Sequence, residues 1–239
     1  LEVLEKAGVD TKQVQIRKDV RTGSAVIQTD RNGDNCIILH GGANRNVTEE
    51  YIDEVLERYG EGDFLILQNE ISGLPYLVTQ AHRRKMQIVL NPSPVNERLW
   101  EVPLEYISYF ILNEIEAAQI AGIESEEEEV LLGRLRNKFP EAKFMLTLGE
   151  KGSVYRDREN TFYQKAFPVE TIDTTAAGDT YTGYFMAGII EGRQVREAAR
   201  LAAFASSMAV SKKGAAPSIP SMEEVAARMK QAGLQLETA

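Results

Sequence analysis

Most of the information about the fold lies in the stretch Asp173-Thr-Thr-Ala-Ala-Gly-Asp179, which continues into Thr180-Tyr-Thr-Gly-Tyr-Phe185. The apolar-flanked residues 169–173 predict a strand, and the small residues that follow lead at once into a helical pattern. A turn of this kind leaves backbone N–H groups without intrahelical acceptors at the start of a helix, where the helix dipole favours an anion. The stretch therefore predicts a strand, a tight turn and a helix that together could hold an anion.

Asp179 lies one step inside that turn. Amides that hold a phosphate beside a carboxylate that can accept a proton are the groups that phosphoryl transfer requires. The alternative is a strand-to-helix turn whose acid only stabilises the helix N-terminus. Of the two, the seven-residue pattern favours the active site.

The composition is that of a globular protein of one or two domains. The chain has 239 residues, of which 43% are hydrophobic and 26% charged. A net charge of -9 argues against a nucleic-acid partner. The single cysteine, Cys36, excludes an intrachain disulfide, and together with only two histidines it disfavours a structural zinc site. No apolar run is long enough for a membrane span and no signal peptide opens the chain, so we predict a cytoplasmic protein.

From Thr48 onward, predicted strands and helices alternate. We predict strands at residues 63–68, 87–91, 106–112 and 143–148, a hairpin at 153–156 and 161–166, and helices at 48–59, 74–85, 113–122, 126–139, 177–191, 195–210 and 222–231. This order indicates an α/β fold, a mostly parallel sheet with helices on both faces. Ligands of such folds bind beyond the carboxyl ends of the strands.

The N-terminal part predicts a separate β-element. Residues 14–20, 24–29 and 35–40 favour strands, and Arg31-Asn-Gly-Asp34 contains a hairpin turn signal. Residues 1–8 have the pattern of the end of an amphipathic helix capped by Gly8. We therefore expect one α/β domain over residues 1–239, incomplete at its N-terminus, with a subdomain of lid strands at about 14–40.

The stretch from Asp173 to Asp179 resembles the signature Asp-Thr-x-Gly-Ala-Gly-Asp of the ribokinase-like carbohydrate kinases, with Ala176 where the family usually has glycine. The resemblance begins partway through the family's sequence and then covers nearly all of this chain. It implies that Asp179 is the catalytic base and that the N–H groups of Ala176, Ala177, Gly178 and Asp179 form an anion hole. Ala176 keeps its amide donor, although its methyl group disfavours a positive φ.

Two further motifs are similar to the family's nucleotide-binding segments. Asn113-Glu-Ile-Glu116 matches its Asn-x-x-Glu motif, which implies an ATP contact for Asn113 and an indirect magnesium contact for Glu116. The same residues also form the pattern of a helix capping box, and both interpretations stay open. Thr147-Leu-Gly-Glu-Lys-Gly152 resembles the family's nucleotide loop, which implies ATP contacts for Thr147, Gly149 and Gly152; an ordinary turn is the alternative. No Walker A pattern occurs.

The stretch Lys212-Lys-Gly-Ala-Ala-Pro-Ser218 resembles the family's C-terminal loop for nucleotide and monovalent cation. The alternative is an ordinary loop between helices. The resemblance implies a potassium ion next to the anion hole, bound by residues at six positions: Asp173, Thr175, Ala209, Lys212, Gly214 and Ser218. Ala203 stands where many ribokinases have an asparagine near the base, so the phosphate contacts are better supported than the adenine contacts.

The resemblance also implies a substrate class. The segment from Leu65 to Glu70 is similar to the one whose glutamate helps to bind the sugar, which makes Glu70 a candidate acceptor for sugar hydroxyls; a surface loop acid is the alternative. The lid-like strands and Gly42-Ala-Asn44 also resemble ribokinase segments, which implies a homodimer paired through the lid. We expect ATP- and Mg²⁺-dependent phosphorylation of a primary hydroxyl, with D-ribose preferred over fructose, a deoxy sugar acid or a nucleoside. A non-catalytic sugar- or nucleotide-binding relative is the alternative outside the enzymes.

Overall fold

The structure is a computed structural model that describes residues 1–29, 35–125 and 127–234. Within these ranges it contains eight α-helices: α1 Glu2–Lys6, α2 Glu49–Leu56, α3 Leu74–Arg83, α4 Glu114–Ala121, α5 Glu128–Lys138, α6 Ala177–Ile190, α7 Val195–Val210 and α8 Met222–Gln231. The same ranges contain eight strands: β1 Ser24–Thr29, β2 Asn35–His40, β3 Phe64–Gln68, β4 Gln87–Asn91, β5 Tyr109–Asn113, β6 Lys143–Thr147, β7 Ser153–Arg156 and β8 Thr161–Gln164.

The chain forms two compact units. Unit 1 comprises Leu1–Ile88 and Ser93–Ile107, and unit 2 comprises Val89–Pro92 and Ser108–Ala239. The interpretation of residues 1–239 as one incomplete domain stays a prediction. None of the described helices combines the length and the apolar character that crossing a membrane requires.

The main sheet has the strand order β3-β4-β5-β6-β7-β8. Strand β5 pairs in parallel with β4 and with β6, whereas β6, β7 and β8 pair antiparallel. These pairings are therefore parallel from β4 to β6 and antiparallel from β6 to β8, where the hairpin lies. This arrangement confirms the predicted α/β fold and the predicted hairpin.

Both faces of the central strands are covered. Three consecutive side chains of β5, those of Phe110, Ile111 and Leu112, are at most 2% exposed. Because successive side chains of a strand point to opposite faces, such a run is buried only if each face is covered. In unit 2, α4 packs on β5 and β6, and α7 packs on β8. The predicted helical layers are thus present.

Unit 1 contains the small two-stranded sheet expected of the lid. Strands β1 and β2 pair antiparallel from Ser24↔His40 to Thr29↔Asn35. The predicted turn at residues 31–34 lies outside the described residues. Gly42, which follows this sheet, has φ +49, and a β-carbon there would collide with the carbonyl oxygen of Arg21, so only glycine fits.

Two predicted strands are wrong. Residues 14–20 are irregular, and the side chains of Val14 and Ile16 are 46% and 75% exposed, so their apolar pattern has no face to bury. Residues 169–173 are also irregular: the amides of Ile172 and Asp173 donate to the carbonyl of Val210, at 2.8 and 3.1 Å, rather than to a neighbouring strand. In both segments the β-branched residues favour an extended chain, but a strand also requires a partner.

The other predicted elements are confirmed, most of them within about two residues of their predicted ends. Two ends shift by three residues. Strand β5 begins at Tyr109 because the backbone before it forms a 3₁₀ turn at Leu104–Tyr106, and α2 ends at Leu56 instead of residue 59. Thr48 caps α2 by accepting a hydrogen bond from the amide of Tyr51, and Gly122 ends α4 with φ 70. These caps are local signals, and the sequence shows them directly.

Helices α6 and α7 approach each other closely at Gly188. A β-carbon at this position would lie 2.8 Å from Cβ of Ala198 and 3.1 Å from its Cα. At Gly183, in the same helix, an added β-carbon would meet no atom within 4 Å. Substitution of alanine for each of these glycines therefore distinguishes the effect of helix packing on stability from the effect of helix propensity.

We expect Gly188→Ala to destabilise the protein by about 1–3 kcal/mol, because the methyl group forces the helices apart. Gly183→Ala is the matched control and should stabilise by up to about 1 kcal/mol through helix propensity. Urea unfolding of both variants measures the difference. A Gly188→Ala protein as stable as the wild type would contradict the close packing.

Candidate active site

The turn before α6 has a strained residue at its centre. Ala176 is the N-cap of α6 and has φ 62 and ψ 9, the left-handed conformation. Its carbonyl oxygen accepts hydrogen bonds from the amide and the hydroxyl of Thr180, at 2.9 and 2.8 Å. A residue with a β-carbon pays about 1–2 kcal/mol for this conformation, a cost that glycine avoids. The methyl group of Ala176 therefore strains the turn without removing its hydrogen bonds.

The residues of the predicted anion hole differ in their surroundings. The amide of Ala177 donates to the carbonyl of Thr174 at 3.1 Å, so this donor is engaged within the turn. Gly178 is the second residue of α6, in the first turn, where helix amides lack intrahelical acceptors. A β-carbon at Gly178 would meet no atom within 4 Å, and the side chain of Asp179 is exposed. The start of α6 is thus open beside Gly178 and Asp179.

Asp173 connects the loop before α6 to the loop after α7. One carboxylate oxygen accepts from the amide of Thr175, and the other accepts from the amide of Gly214, each at 2.9 Å. The Thr175 side chain, and then these two amides, lower the pKa of Asp173 to about 2. The carboxylate is therefore ionised at neutral pH and joins the two loops.

The structure brings three of the six predicted cation-binding residues, Asp173, Thr175 and Gly214, into direct contact. In the adjacent turn, the buried Ala209 accepts through its carbonyl from the amide of Lys212 at 3.1 Å. Ser218 is fully buried, and its hydroxyl donates to the carbonyl of Ala215 at 2.8 Å. The structure thus joins Asp173 to Thr175 and Gly214, whereas these hydrogen bonds of Ala209, Lys212 and Ser218 are local ones within their own turns.

Asn113 and Thr147 lie at the carboxyl ends of two neighbouring parallel strands. They are register partners in β5 and β6. Asn113 forms the capping box of α4: its side chain accepts from the amide of Glu116 at 2.9 Å, and its amide donates to Glu116 Oε2 at 3.0 Å. The capping interpretation is confirmed, and the ATP and magnesium contacts of these residues stay predictions. Within the described ranges, no group of three or more His, Cys, Asp or Glu side chains could hold a metal ion.

The loop after β6 needs its two glycines for different reasons. Gly152 has φ 110, and a β-carbon there would collide with the carbonyl oxygen of Gln164 in β8, so the hairpin itself requires glycine. Gly149 has φ 56, but a β-carbon there would meet no atom within 4 Å. The loop is closed by a hydrogen bond of 2.8 Å from the amide of Leu148 to the carbonyl of Gly152. The backbone is therefore open to its surroundings at Gly149 and closely packed at Gly152.

Glu70 lies in unit 1, half-buried, just beyond β3. Its neighbour Asn69 is 3% exposed and donates through its side-chain amide to the carbonyl of Pro94 at 2.7 Å and to Asn96 Oδ1 at 3.2 Å. These bonds fix the backbone that carries Glu70. The sequence analysis missed the role of Asn69, for which only its position after a buried strand offered a signal.

Sequence analysis also missed Ser206. This residue of α7 donates from its hydroxyl to the carbonyl of Ala177 at 3.0 Å and so contacts the first residue of α6. The two residues are 29 positions apart in the chain, and no motif relates them. Ala203, also on α7, is 8% exposed.

Comparisons with known proteins agree with this architecture. The chain matches the model of the pfkB family carbohydrate kinases over residues 1–222. The ribokinase of Haemophilus influenzae is 32% identical over 222 residues, 91% of this chain and 72% of that protein. The ribokinase of Schizosaccharomyces pombe is 31% identical over 230 residues, 93% of this chain and 72% of that protein.

Solved structures give the same result. A ribokinase from Cryptococcus neoformans in complex with ADP has 31% identity and a TM-score of 0.78, over 95% of this chain and 78% of that one. The ribokinase of Arabidopsis thaliana complexed with ribose and ATP has 28% identity and a TM-score of 0.75, over 89% of this chain and 70% of that one. The chain belongs to the pfkB family of carbohydrate kinases. It is a ribokinase-like sugar or nucleoside kinase, and the expected enzyme class, an ATP-dependent carbohydrate kinase, is confirmed at the family level.

We expect Asp173→Asn to lower the stability of the protein at pH 7, because the ionised carboxylate accepts two amide hydrogen bonds. The folded-state pKa, about 2, is below the usual 3.8, so this stabilisation is present above about pH 4 and is lost as the pH falls towards 2. Thermal unfolding of both proteins between pH 7 and pH 2 measures the effect. The difference in melting temperature between the wild type and Asp173→Asn should decrease below pH 4. A constant difference would show that the charge of Asp173 contributes nothing to stability.

Proposed function

We propose that this protein transfers the γ-phosphoryl group of ATP to the primary hydroxyl of D-ribose and forms ribose 5-phosphate. The observation that carries the proposal is the position of Asp179, exposed in the first turn of α6 beside the open space at Gly178. A carboxylate there is accessible to a substrate hydroxyl, and the helix start favours the phosphate. The ribokinases among its relatives support ribose as the acceptor.

In the proposed reaction, Asp179 accepts the proton of the sugar hydroxyl while the hydroxyl oxygen attacks the γ-phosphorus in line. The bond between the γ-phosphorus and the β–γ bridging oxygen breaks, and ADP leaves. The amides of Ala176, Gly178 and Asp179 stabilise the negative charge that develops on the phosphoryl oxygens. The Ala177 amide can join them only by exchanging or sharing its bond to Thr174, at 3.1 Å. Positioning and charge stabilisation thus supply most of the catalysis.

Two cations complete the proposal. Glu116 would help to hold magnesium indirectly, through water, and the ion would neutralise charge on the ATP phosphates. Contacts to the nucleotide would come from Asn113, Thr147, Gly149 and Gly152. The potassium site comprises Asp173 and Ser218 with the backbone carbonyls of Thr175, Ala209, Lys212 and Gly214. The contact between Asp173 and the Gly214 amide, at 2.9 Å, supports it, because this contact already joins the two loops.

Glu70 and the two-stranded sheet of unit 1 have proposed roles as sugar ligand and lid. Val26 and Ile38 are cross-strand partners, and their side chains are 64% and 63% exposed, which gives this sheet an apolar surface. Pairing of two such sheets would cover that surface and supports a homodimer through the lid. Sedimentation of the purified protein measures its mass. A cytoplasmic location completes the proposal.

A coupled assay of ADP release tests the substrate. The purified protein is assayed with ATP and D-ribose, fructose, 2-deoxyribose, a deoxy sugar acid and nucleosides, with and without K⁺. We expect the highest kcat/KM with D-ribose and an increase with K⁺. The deoxyribokinase of Salmonella typhi, 26% identical over 228 residues, favours 2-deoxyribose as the second candidate. A preference for any other acceptor would overturn the ribose proposal.

Asp179→Asn should lower kcat by about 10²–10⁴-fold, because the amide cannot accept the proton. The melting temperature should stay close to that of the wild type, since the side chain is exposed. Glu170→Gln, which also neutralises an exposed acid near this turn, is the control and should keep wild-type kcat. Wild-type turnover by Asp179→Asn would exclude this residue as the base.

Gly178→Ala is a companion variant that tests the anion hole. The protein offers open space for the methyl group, so folding should be unaffected or improved. We expect kcat/KM for ATP to fall by at least about 10-fold, because the methyl group takes the space through which phosphate oxygens reach the amides. Gly183→Ala, in open space further along α6, is the control. Equal activity of the two variants would place the phosphate elsewhere.

A further inference from the structure

A buried hydrogen-bonded chain connects α6 to the sheet. The hydroxyl of Tyr181 lies 2.7 Å from the hydroxyl of Ser153 and donates to the sulfur of Met145 at 3.3 Å. The three residues are 5%, 1% and 1% exposed, respectively. Protein groups alone therefore satisfy these two hydroxyls.

The direction of the bonds follows from the donors available. Tyr181 has one proton, and the methionine sulfur can only accept it. Both contacts are satisfied together when Ser153 donates to Tyr181 and Tyr181 donates to Met145. Burial raises the pKa of Tyr181 well above its usual range, so the hydroxyl keeps its proton at any pH at which the enzyme works.

These residues flank both segments of the candidate active site. Tyr181 follows Asp179 by two positions in α6, in the turn that begins at Ala177. Ser153 comes directly after Gly152 and is the register partner of Thr147, so it closes the loop at residues 147–152. Met145 precedes Thr147 by two positions on β6. One hydroxyl thus joins the helix of the proposed base to both ends of the proposed nucleotide loop.

We propose that Tyr181 is a positioning residue, whose hydroxyl holds the nucleotide loop at the correct distance from the anion-hole turn. The proposal rests on the proposed function, because it takes the loop at residues 147–152 to contact ATP. The end of the loop is held to β8 independently of Tyr181, because Ser153 pairs with Gln164 in the antiparallel register of β7 and β8. Loss of the Tyr181 hydroxyl should therefore change the distance between the loop and α6, while the backbone of each keeps its shape.

Tyr181→Phe removes the hydroxyl and leaves that of Ser153 buried without its partner, so we expect the melting temperature to fall by about 2–8 °C. Ser153→Ala with Tyr181→Phe removes both polar groups and should recover most of that loss. The double variant therefore shows whether the missing Tyr181 hydroxyl affects nucleotide binding when the loss of stability has been largely recovered.

The readout is the affinity for nucleotide in both variants. We expect the Kd of MgADP, measured by calorimetry, and the KM of ATP to rise by about 10-fold, the factor equivalent to one lost hydrogen bond. The KM of the sugar and kcat should stay within about 2-fold of the wild type. A structural role alone would give wild-type affinity once stability is recovered in the double variant, and this result would overturn the proposal.

Tyr155→Phe is the matched control. Tyr155 is 2% exposed, belongs to the strand that Ser153 begins, and donates from its hydroxyl to Asp157 Oδ2 at 2.9 Å. We expect it to lower the melting temperature but not to change the Kd of MgADP. An equal rise in Kd for Tyr155→Phe would show a general loosening of the hairpin and would overturn the role of Tyr181.

The proposed function and this proposal fail in different ways. A wild-type protein that binds MgADP but phosphorylates no ribose overturns the choice of substrate. The Kd of MgADP in the wild type and the variants then still decides whether Tyr181 is a positioning residue. A wild-type protein that binds no MgADP overturns the nucleotide role of the loop and both proposals with it.

Discussion

Helix α6 is held against α7 along its length, and the candidate active site takes its position from that contact. Gly188, near the end of α6, meets Ala198 near the start of α7, while Ser206, towards the end of α7, donates to the carbonyl of Ala177 at the start of α6. The two helices are therefore antiparallel. The turn that precedes α6 is attached to the same partner, because the amides of Ile172 and Asp173 donate to the carbonyl of Val210.

This attachment explains why an irregular segment can carry a defined site. Residues 169–173 have no neighbouring strand among the described residues, yet Asp173 is fixed by hydrogen bonds through its amide and both carboxylate oxygens. Two of these partners, Val210 and Gly214, lie far from Asp173 in the chain. The segment is therefore held by the end of α7 and the loop that follows it, rather than by its own neighbours in sequence.

The sequence predicts best those features that depend on neighbours in the chain. The caps formed by Thr48 and Asn113 need only residues three positions away, and both are present. The strands predicted at residues 14–20 and 169–173 are wrong because propensity cannot show whether a partner strand is available. The Asp-to-Asp motif at residues 173–179 identified the helix and turn, but the contacts of Ser206 and Tyr181 with their distant partners have no counterpart in sequence spacing.

The glycine at position 152 limits how the loop after β6 can diverge. Because a β-carbon at Gly152 would collide with the carbonyl oxygen of Gln164, a side chain does not fit there unless β7 and β8 move apart. The neighbouring Glu150 and Lys151 are exposed, and the side chain of Lys151 forms an ion pair with the carboxylate of Glu114, at 3.5 Å. In the proposed nucleotide loop, substitutions that alter donor preference can therefore occur at these two exposed positions while Gly152 keeps the backbone of the loop constant.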